Sequence, residues 1–428
     1  MKIDSSHLNF DYFFNKYQNK KFIVQAENTI SYNTFRNECV SMAMSLSRYG
    51  IKQSDIILIK SQNSIDYLKL IISVFYLGAI LCPVDVNINK DKFEEYINYL
   101  KPKLIINKNE QLKKFNKKIS NQNFIKKNFP NQNYLLMMTS GTTGEPKAMM
   151  FSIQNILKSA IYYGKLADYS EQTIVYHVLP MFYMAGILNT FLSPLTKGSS
   201  ILLGNKFNAE SLLNFWDLPK KFSANSIHLT PTIAHSIANF HRDNKEIETY
   251  VSNMKDVITT GSILYKNTFD FFNKKFNCRL RSCYGVTEAG GPLTLQAWED
   301  TLREDNNVGF HLNDIKFKLK AKPGSNFKSI LVRTPFMMKG YYMKKNKKFQ
   351  IRLDKNGYLN TMDYGSYDSK NKILFIEGRE SEIIKRAGEL VSLSYIENII
   401  SKYKEVGECS CISLSDKLMG TKIYVFII

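Results

Sequence analysis

None of the six cysteines, Cys39, Cys82, Cys278, Cys283, Cys409 and Cys411, pairs with another at Cys-x-x-Cys spacing. Cys409-x-Cys411 lacks the second ligand pair that a structural zinc site requires. Buried free thiols in a reducing cytoplasm are the expectation. The opening stretch, MKIDSSHLNFDYFF, does not read as a signal peptide, because Asp4 comes early and no uninterrupted apolar core follows. Residues 70–84, LIISVFYLGAILCPV, form the best membrane candidate. They fall short of the roughly 20 residues that a spanning helix needs. Gly78 and Pro83 break the run, so a buried helix turning into a strand is expected instead. Internal repeats and long low-complexity segments are absent. Acidic residues are scarce beside basic ones, 38 against 58, for a formal charge of +20. An anionic partner is one use for such an excess. Here the lysines are spread along the chain, so they read as a solvated surface and no nucleic acid is expected.

What is present is a large core. Of 428 residues, 44% are hydrophobic and 13% aromatic, which excludes a disordered chain. The length predicts two or three domains. Residues 31–106 alternate helical and strand patterns. Ser31 is placed to cap a helix through Arg48, with Phe35, Cys39, Met42 and Leu46 on one face and Gly50 at its end. A short strand is expected at residues 55–60, a helix at 64–77 and a strand at 80–84. This alternation predicts mainly parallel sheets covered by helices, an α/β fold. Residues 107–133 read as a lysine- and asparagine-rich surface connection. From about residue 306 to 378 short strands and turns replace the helices, predicting a small β-barrel-like unit. One helix, near residues 394–403, and a terminal strand follow.

The chemistry concentrates in residues 134–152, YLLMMTSGTTGEPKAMMFS. An apolar strand runs into Thr139, Ser140, Gly141, Thr142, Thr143, Gly144, Glu145, Pro146 and Lys147. Glycines let backbone amides turn towards an anion, hydroxyls add donors, and Lys147 adds a point charge suited to phosphate. This is not a Walker A loop, because Lys147 lies three residues after Gly144 and no Ser or Thr follows it. Pro146 argues against continuous helix through the loop. A second cluster, Tyr284-Gly285-Val286-Thr287-Glu288, joins a flat aromatic, a turn glycine, a hydroxyl and a carboxylate.

The string T-S-G-T-T-G-x-P-K resembles the phosphate loop of the adenylate-forming superfamily: acyl-CoA synthetases, peptide-synthetase adenylation domains and beetle luciferases. Further motifs follow in that family's order across residues 20–428. The resemblance implies that residues 139–147 close over the β- and γ-phosphates of ATP. It implies that Phe182, Tyr183 and Gly186, in HVLPMFYMAG, border the acyl site. Many members carry histidine where this chain has Tyr183. Gly261 and Ser262, in TTGS, would lie beside adenine. Tyr284 would pack on adenine with Gly285 next to it, Thr287 would contact the α-phosphate, and Glu288 would help hold Mg²⁺. Asp363, in GYLNTMD, would accept hydrogen bonds from the ribose hydroxyls, and Arg379 would contact ribose. Met362 stands where the family carries glycine. Ser381 falls at the family's hinge, and Lys385 and Gly388 fall in the segment lining its thiol tunnel.

The resemblance therefore implies an N-terminal AMP-binding domain over residues 1–378, with its β-rich part at about 306–378, and a mobile α+β domain over residues 379–428. Fewer than 50 residues follow Ser381, so that domain is expected to be truncated and to lack the family's P-x-x-x-x-G-K lysine. Losing one such group typically costs about 10²–10³ in rate. Slow unaided catalysis, completion by another chain and an inactive nucleotide-binding relative all stay open. The implied reaction joins a small carboxylic acid to AMP and then to the thiol of coenzyme A or of a carrier-protein phosphopantetheine. An acyl carrier protein is thus a candidate partner. The aspartate string of amino-acid activators is not found between Gly186 and Pro231, which favours an acid without an α-amine. Amino-acid activation is the alternative.

Overall fold

The computed structural model describes residues 8–25, 29–116, 132–139, 146–204, 207, 210–297, 306–321, 327–343, 348–386, 389–401, 403, 405–406, 409–416 and 419–427. The backbone divides into two compact units: residues 1–228, 290–292 and 335–351, and residues 229–289, 293–334 and 352–428. Compactness thus draws a line near residue 228, whereas the motifs place one at 378/379.

The first unit carries two sheets. In one, Ile56–Ile59 runs parallel to Ile80–Pro83 and to Leu104–Ile106, and Leu81 pairs with Leu135 of the parallel strand Asn133–Thr139. Lys147–Ser152 then adds antiparallel, Thr139 facing Lys147. In the other, Lys21–Val24, Ser200–Leu203, Ile174–His177 and Ser226–Leu229 are parallel neighbours. The covering helices start where the sequence expects. Ser31 accepts the Thr34 N–H and caps Tyr32–Arg48, and Ser64 accepts the Tyr67 N–H and caps Ile65–Leu77. Such caps are each worth about 1 kcal/mol. Gly78 ends the second helix at φ +70°, a left-handed turn that suits glycine. An aromatic core of Phe10, Phe14, Phe22, Tyr32, Phe35 and Phe191 fills this unit, all fully buried.

In the second unit Asp256–Thr260 and Leu280–Val286 are parallel, with helices Pro231–Phe240 and Lys266–Phe276 packed alongside. An antiparallel ladder follows in the order Lys316–Ala321, Lys328–Arg333, Leu359–Asp368, Ile373–Arg379, Asn307–Phe310. Helix Leu393–Ile400, capped by Ser392, and the hairpin Cys409–Asp416/Gly420–Ile427 complete it.

The expected β-rich stretch 306–378 is shared between the units. Gly340–Met343 pairs with Lys147–Ser152 of the first unit, and Lys348–Gln350 pairs with it in turn. Tyr99 fixes that edge by donating its hydroxyl to Tyr342 O at 2.6 Å. Local turn-and-strand pattern cannot reveal which distant sheet a strand joins.

Candidate active site

Two parallel strand ends form the floor of the site. Thr260 lies opposite Cys283 in register, so Gly261 and Tyr284 leave the sheet side by side. Gly261 has φ +94°, and a side chain there would meet open space. A buried ion pair, Arg281 Nη1 with Asp256 Oδ1, braces the two strands, and Arg281 Nε also donates to Gln296 O at 2.7 Å. Removing one partner of a buried pair of this kind strands a charge and costs about 3–5 kcal/mol, so the two strands are tied at this point.

Asp363 reaches the site through a bulge. Between Lys328–Arg333 and Leu359–Asp368 the register passes from Leu331/Asn360 to Ser329/Tyr364, placing extra residues on the second strand. Met362 takes up the distortion at φ +64°. Asn360 Oδ1 accepts the Met362 N–H at 3.0 Å, and Thr361 Oγ1 accepts the Asp363 N–H at 3.1 Å. Bulges re-aim side chains in this way. The Asp363 carboxylate, 3% exposed, accepts the Tyr284 hydroxyl on Oδ2 at 2.5 Å and faces Arg379 Nε from Oδ1 at 3.4 Å. Burial pushes its pKa above the usual carboxylate range, Tyr284 and Arg379 pull it back, and Glu382 and Glu288 push it up. Burial, with the facing carboxylate, keeps the Tyr284 phenol protonated well past its ordinary range.

Gly261, Ser262, Tyr284, Gly285, Asp363 and Arg379 all line one pocket of about 530 Å³. That volume falls in the roughly 300–1,000 Å³ range of small-molecule sites. Thr287 and Glu288 follow on the 3₁₀ turn Thr287–Ala289, half-buried and outside the lining. His235, Tyr265, Asn267, Glu382, Ser394 and Glu397, to which no pocket role was assigned from the motifs, are among the other residues of the wall. Tyr265 and Asn267 were findable, because they sit where a strand end passes into a helix, the usual ligand position in open α/β sheets. Ser394 and Glu397 arrive by packing of a distant helix and carry no local signal.

The remaining site residues belong to the first unit or to the segment after Arg379. Lys147 opens the strand Lys147–Ser152 and is half-buried, and Thr139 ends the facing strand. The loop they bracket thus joins two antiparallel strands, not a strand and a helix. Ser140, Gly141, Thr142, Thr143 and Gly144 lie outside the described residues. Phe182 and Tyr183 stack at 4.3 Å on a turn pinned by Asn63, which accepts the Met181 N–H and donates to Leu179 O. Tyr183 is 57% exposed, and partial burial with the nearby Asp85 charge raises its pKa. Gly186 is required by space, since a Cβ there would lie 2.2 Å from Pro180 O. Ser381 is exposed on the turn Glu380–Glu382, Lys385 lies in the strand Ile383–Arg386, and Gly388 is outside the described residues.

Residues 10–342 match the family model described as AMP-binding enzyme. The chain belongs to this AMP-binding enzyme family. Among its curated relatives, a 4-coumarate–CoA ligase of Humulus lupulus is 23% identical over 90% of this chain and 77% of its own. A 2-succinylbenzoate–CoA ligase of Oceanobacillus iheyensis is 24% identical over 94% of this chain and 84% of its own. Among solved structures, ATP-bound MatB from Rhodopseudomonas palustris superposes with a TM-score of 0.85 at 19% identity, over 98% of this chain and 88% of that one. The o-succinylbenzoate CoA synthetase MenE of Bacillus subtilis, with its acyl-adenylate, gives 0.82 at 18% identity, over 97% and 87%. This AMP-binding enzyme therefore shares the helix-covered α/β fold of those ligases. Among its described residues no helix is long and apolar enough to cross a membrane.

Proposed function

We propose that this AMP-binding enzyme activates a small carboxylic acid with ATP and passes the acyl group to the thiol of coenzyme A. The observation that carries the reading is the 530 Å³ pocket, in which six residues separated by up to 118 positions, from Gly261 to Arg379, meet around Asp363. Its lining holds Asp363, Glu382 and Glu397 against Arg379. Such a wall suits hydrogen-bond donors, the ribose hydroxyls and the adenine amino group, and repels a triphosphate. The nucleoside then occupies this pocket, and the phosphates extend from it.

In the first step the substrate carboxylate oxygen attacks the α-phosphorus of ATP. The bond to the β-phosphate oxygen breaks, and acyl-adenylate and pyrophosphate form. In the second, a thiolate attacks the acyl carbonyl and AMP leaves with the electron pair. The work asked of the protein is positioning and stabilisation of phosphate charge. Lys147 would meet the outer phosphates and Thr287 the α-phosphate. Glu288 fits Mg²⁺, an ion that takes oxygen ligands and keeps waters, as the one carboxylate beside the phosphates. When bound, that ion supplies charge neutralisation at the phosphates. Rotation of the segment beyond Ser381 would separate the two steps.

The test is acid-dependent ATP–pyrophosphate exchange over a panel of aryl, acyl, dicarboxylic and amino acids. Exchange that depends on the acid and falls strongly in Lys147→Ala and Glu288→Ala is the expected outcome. Exchange in both variants unchanged from the parent would overturn the reading. Calorimetric ATP binding without exchange for any acid would leave a nucleotide-binding protein and not a ligase.

A further inference from the structure

Resting on the nucleotide reading above, we propose that the Tyr284 hydroxyl is a positioning group for the Asp363 carboxylate, and that through it the pocket distinguishes ribose from deoxyribose. The ring of Tyr284 offers a stacking face, but its hydroxyl points at Asp363 Oδ2, 2.5 Å away. Among the described residues Asp363 has two facing partners, and they differ in quality. Arg379 stands 3.4 Å from Oδ1 on a side chain that is 65% exposed. An exposed, long side chain in water holds a carboxylate weakly. Tyr284 belongs to a strand end braced by the buried Arg281–Asp256 pair, so its hydroxyl is the stiffer anchor.

Asp363 follows a strained stretch of backbone. The preceding Met362 is held at φ +64° where glycine would sit without cost. A bulge that aims a side chain by strain leaves the two side-chain torsions of aspartate to be fixed by something else. The phenol stays protonated, so it donates and the carboxylate accepts. With Oδ2 fixed, the remaining lone pairs of both oxygens are presented to the pocket at a set angle. A vicinal diol donating one hydrogen to each oxygen is the donor pair that such a carboxylate fits. A nucleotide missing either hydroxyl leaves one carboxylate oxygen of a buried group short of a donor.

Tyr284→Phe separates the two roles of the residue, since phenylalanine keeps the stacking face and removes only the donor. The experiment is calorimetric binding of ATP, 2′-deoxy-ATP and 3′-deoxy-ATP to the full chain and to Tyr284→Phe, repeated from pH 5 to 8. The full chain should prefer ATP over both deoxynucleotides. In Tyr284→Phe that preference should shrink roughly fivefold or more, almost wholly through weaker ATP binding. Loss of the donor also disfavours the charged form of Asp363, so ATP binding by the variant should fall off at a higher pH than in the parent. Equal weakening of all three nucleotides with an unmoved pH profile would mark a merely structural role and overturn the proposal. An unchanged preference would overturn it as well and leave the nucleotide reading standing. A parent chain that binds none of the three nucleotides would overturn both. Should Tyr284→Phe fail to unfold cooperatively, the parent's own ribose preference decides, because its absence removes the effect that the hydroxyl is said to cause.

Discussion

Tyr265 donates its hydroxyl to Glu397 Oε2 at 3.0 Å, while Glu397 Oε1 accepts the Cys411 N–H at 2.7 Å. One carboxylate thereby ties three segments together: the turn after Gly261, the helix Leu393–Ile400 and the hairpin strand Cys409–Asp416. Cys409 adds a third contact to the residue, its thiol donating to the backbone Glu397 O. This carboxylate is one of the ties that hold the wall of the pocket beyond Arg379. Glu397→Ala should cost about 1–3 kcal/mol, the usual penalty for leaving partly buried donors unpaired. Hydrogen exchange should rise across residues 393–427 and not across residues 256–260. Uniform exchange over both stretches would show that the contact does not hold the wall.

The left-handed Met362 should be relieved by glycine. Met362 is 52% exposed, so its side chain contributes little packing. Left-handed backbone costs a non-glycine residue about 1–2 kcal/mol, and the freer unfolded chain of a glycine variant takes back about 0.4–1. Met362→Gly is therefore expected to raise stability by under about 1 kcal/mol in urea unfolding. A drop of more than that would mean that the thioether side chain makes a contact the strain argument ignores.

Helix caps and strand–helix alternation were legible because they are local. Ser31, Ser64 and Gly78 act over three or four residues, and the structure places them where the pattern does. The pocket's motif residues were legible through resemblance alone. Nothing in the spacing of Tyr284 and Asp363 tells that they touch, since 79 positions separate them and only long-range strand pairing brings them together. Met362 shows the limit differently. The sequence marks it as a departure from glycine, and only the backbone shows that the departure keeps glycine's φ. Strands at residues 340–350 looked like part of the β-rich unit because their partner, Lys147–Ser152, is nearly 200 residues away.

His177 introduces a pH dependence. It is fully buried, with Thr190 Oγ1 at 2.7 Å from Nδ1, and burial pushes its pKa down to about 4. The unfolded chain takes a proton near the ordinary value of 6.5, whereas the folded chain does not until about 4. Between those values the unfolded state binds more protons, so stability rises with pH there and is lost as pH falls from 6.5 towards 4. At about 1.4 kcal/mol for each pH unit of separation, the full loss is about 3–4 kcal/mol. Urea unfolding of His177→Gln should show a shallower decline over that window than the parent. Parallel declines would assign the acid sensitivity to other groups.

Gly378 tests how tightly the pocket and its distant wall are fitted. It has φ +148°, and a Cβ there would lie 2.6 Å from Ser394 Oγ and 3.0 Å from Ser392 Oγ. Ser392 is the N-cap of the helix Leu393–Ile400, accepting the Tyr395 N–H, and it also donates to Glu377 O at 3.3 Å. An alanine methyl must push both hydroxyls away. The cap, worth about 1 kcal/mol, weakens together with the backbone strain at a position only glycine adopts freely. Because Gly378 and Ser394 both line the 530 Å³ pocket, the displacement also reaches the proposed nucleotide site. Gly378→Ala should lower stability by about 2 kcal/mol and weaken ATP binding several-fold. Ser394→Ala in the same chain opens room for the methyl, so the double variant should recover part of both losses. Recovery of neither would place the whole cost in the backbone at 378 and none of it in the contact with the helix start.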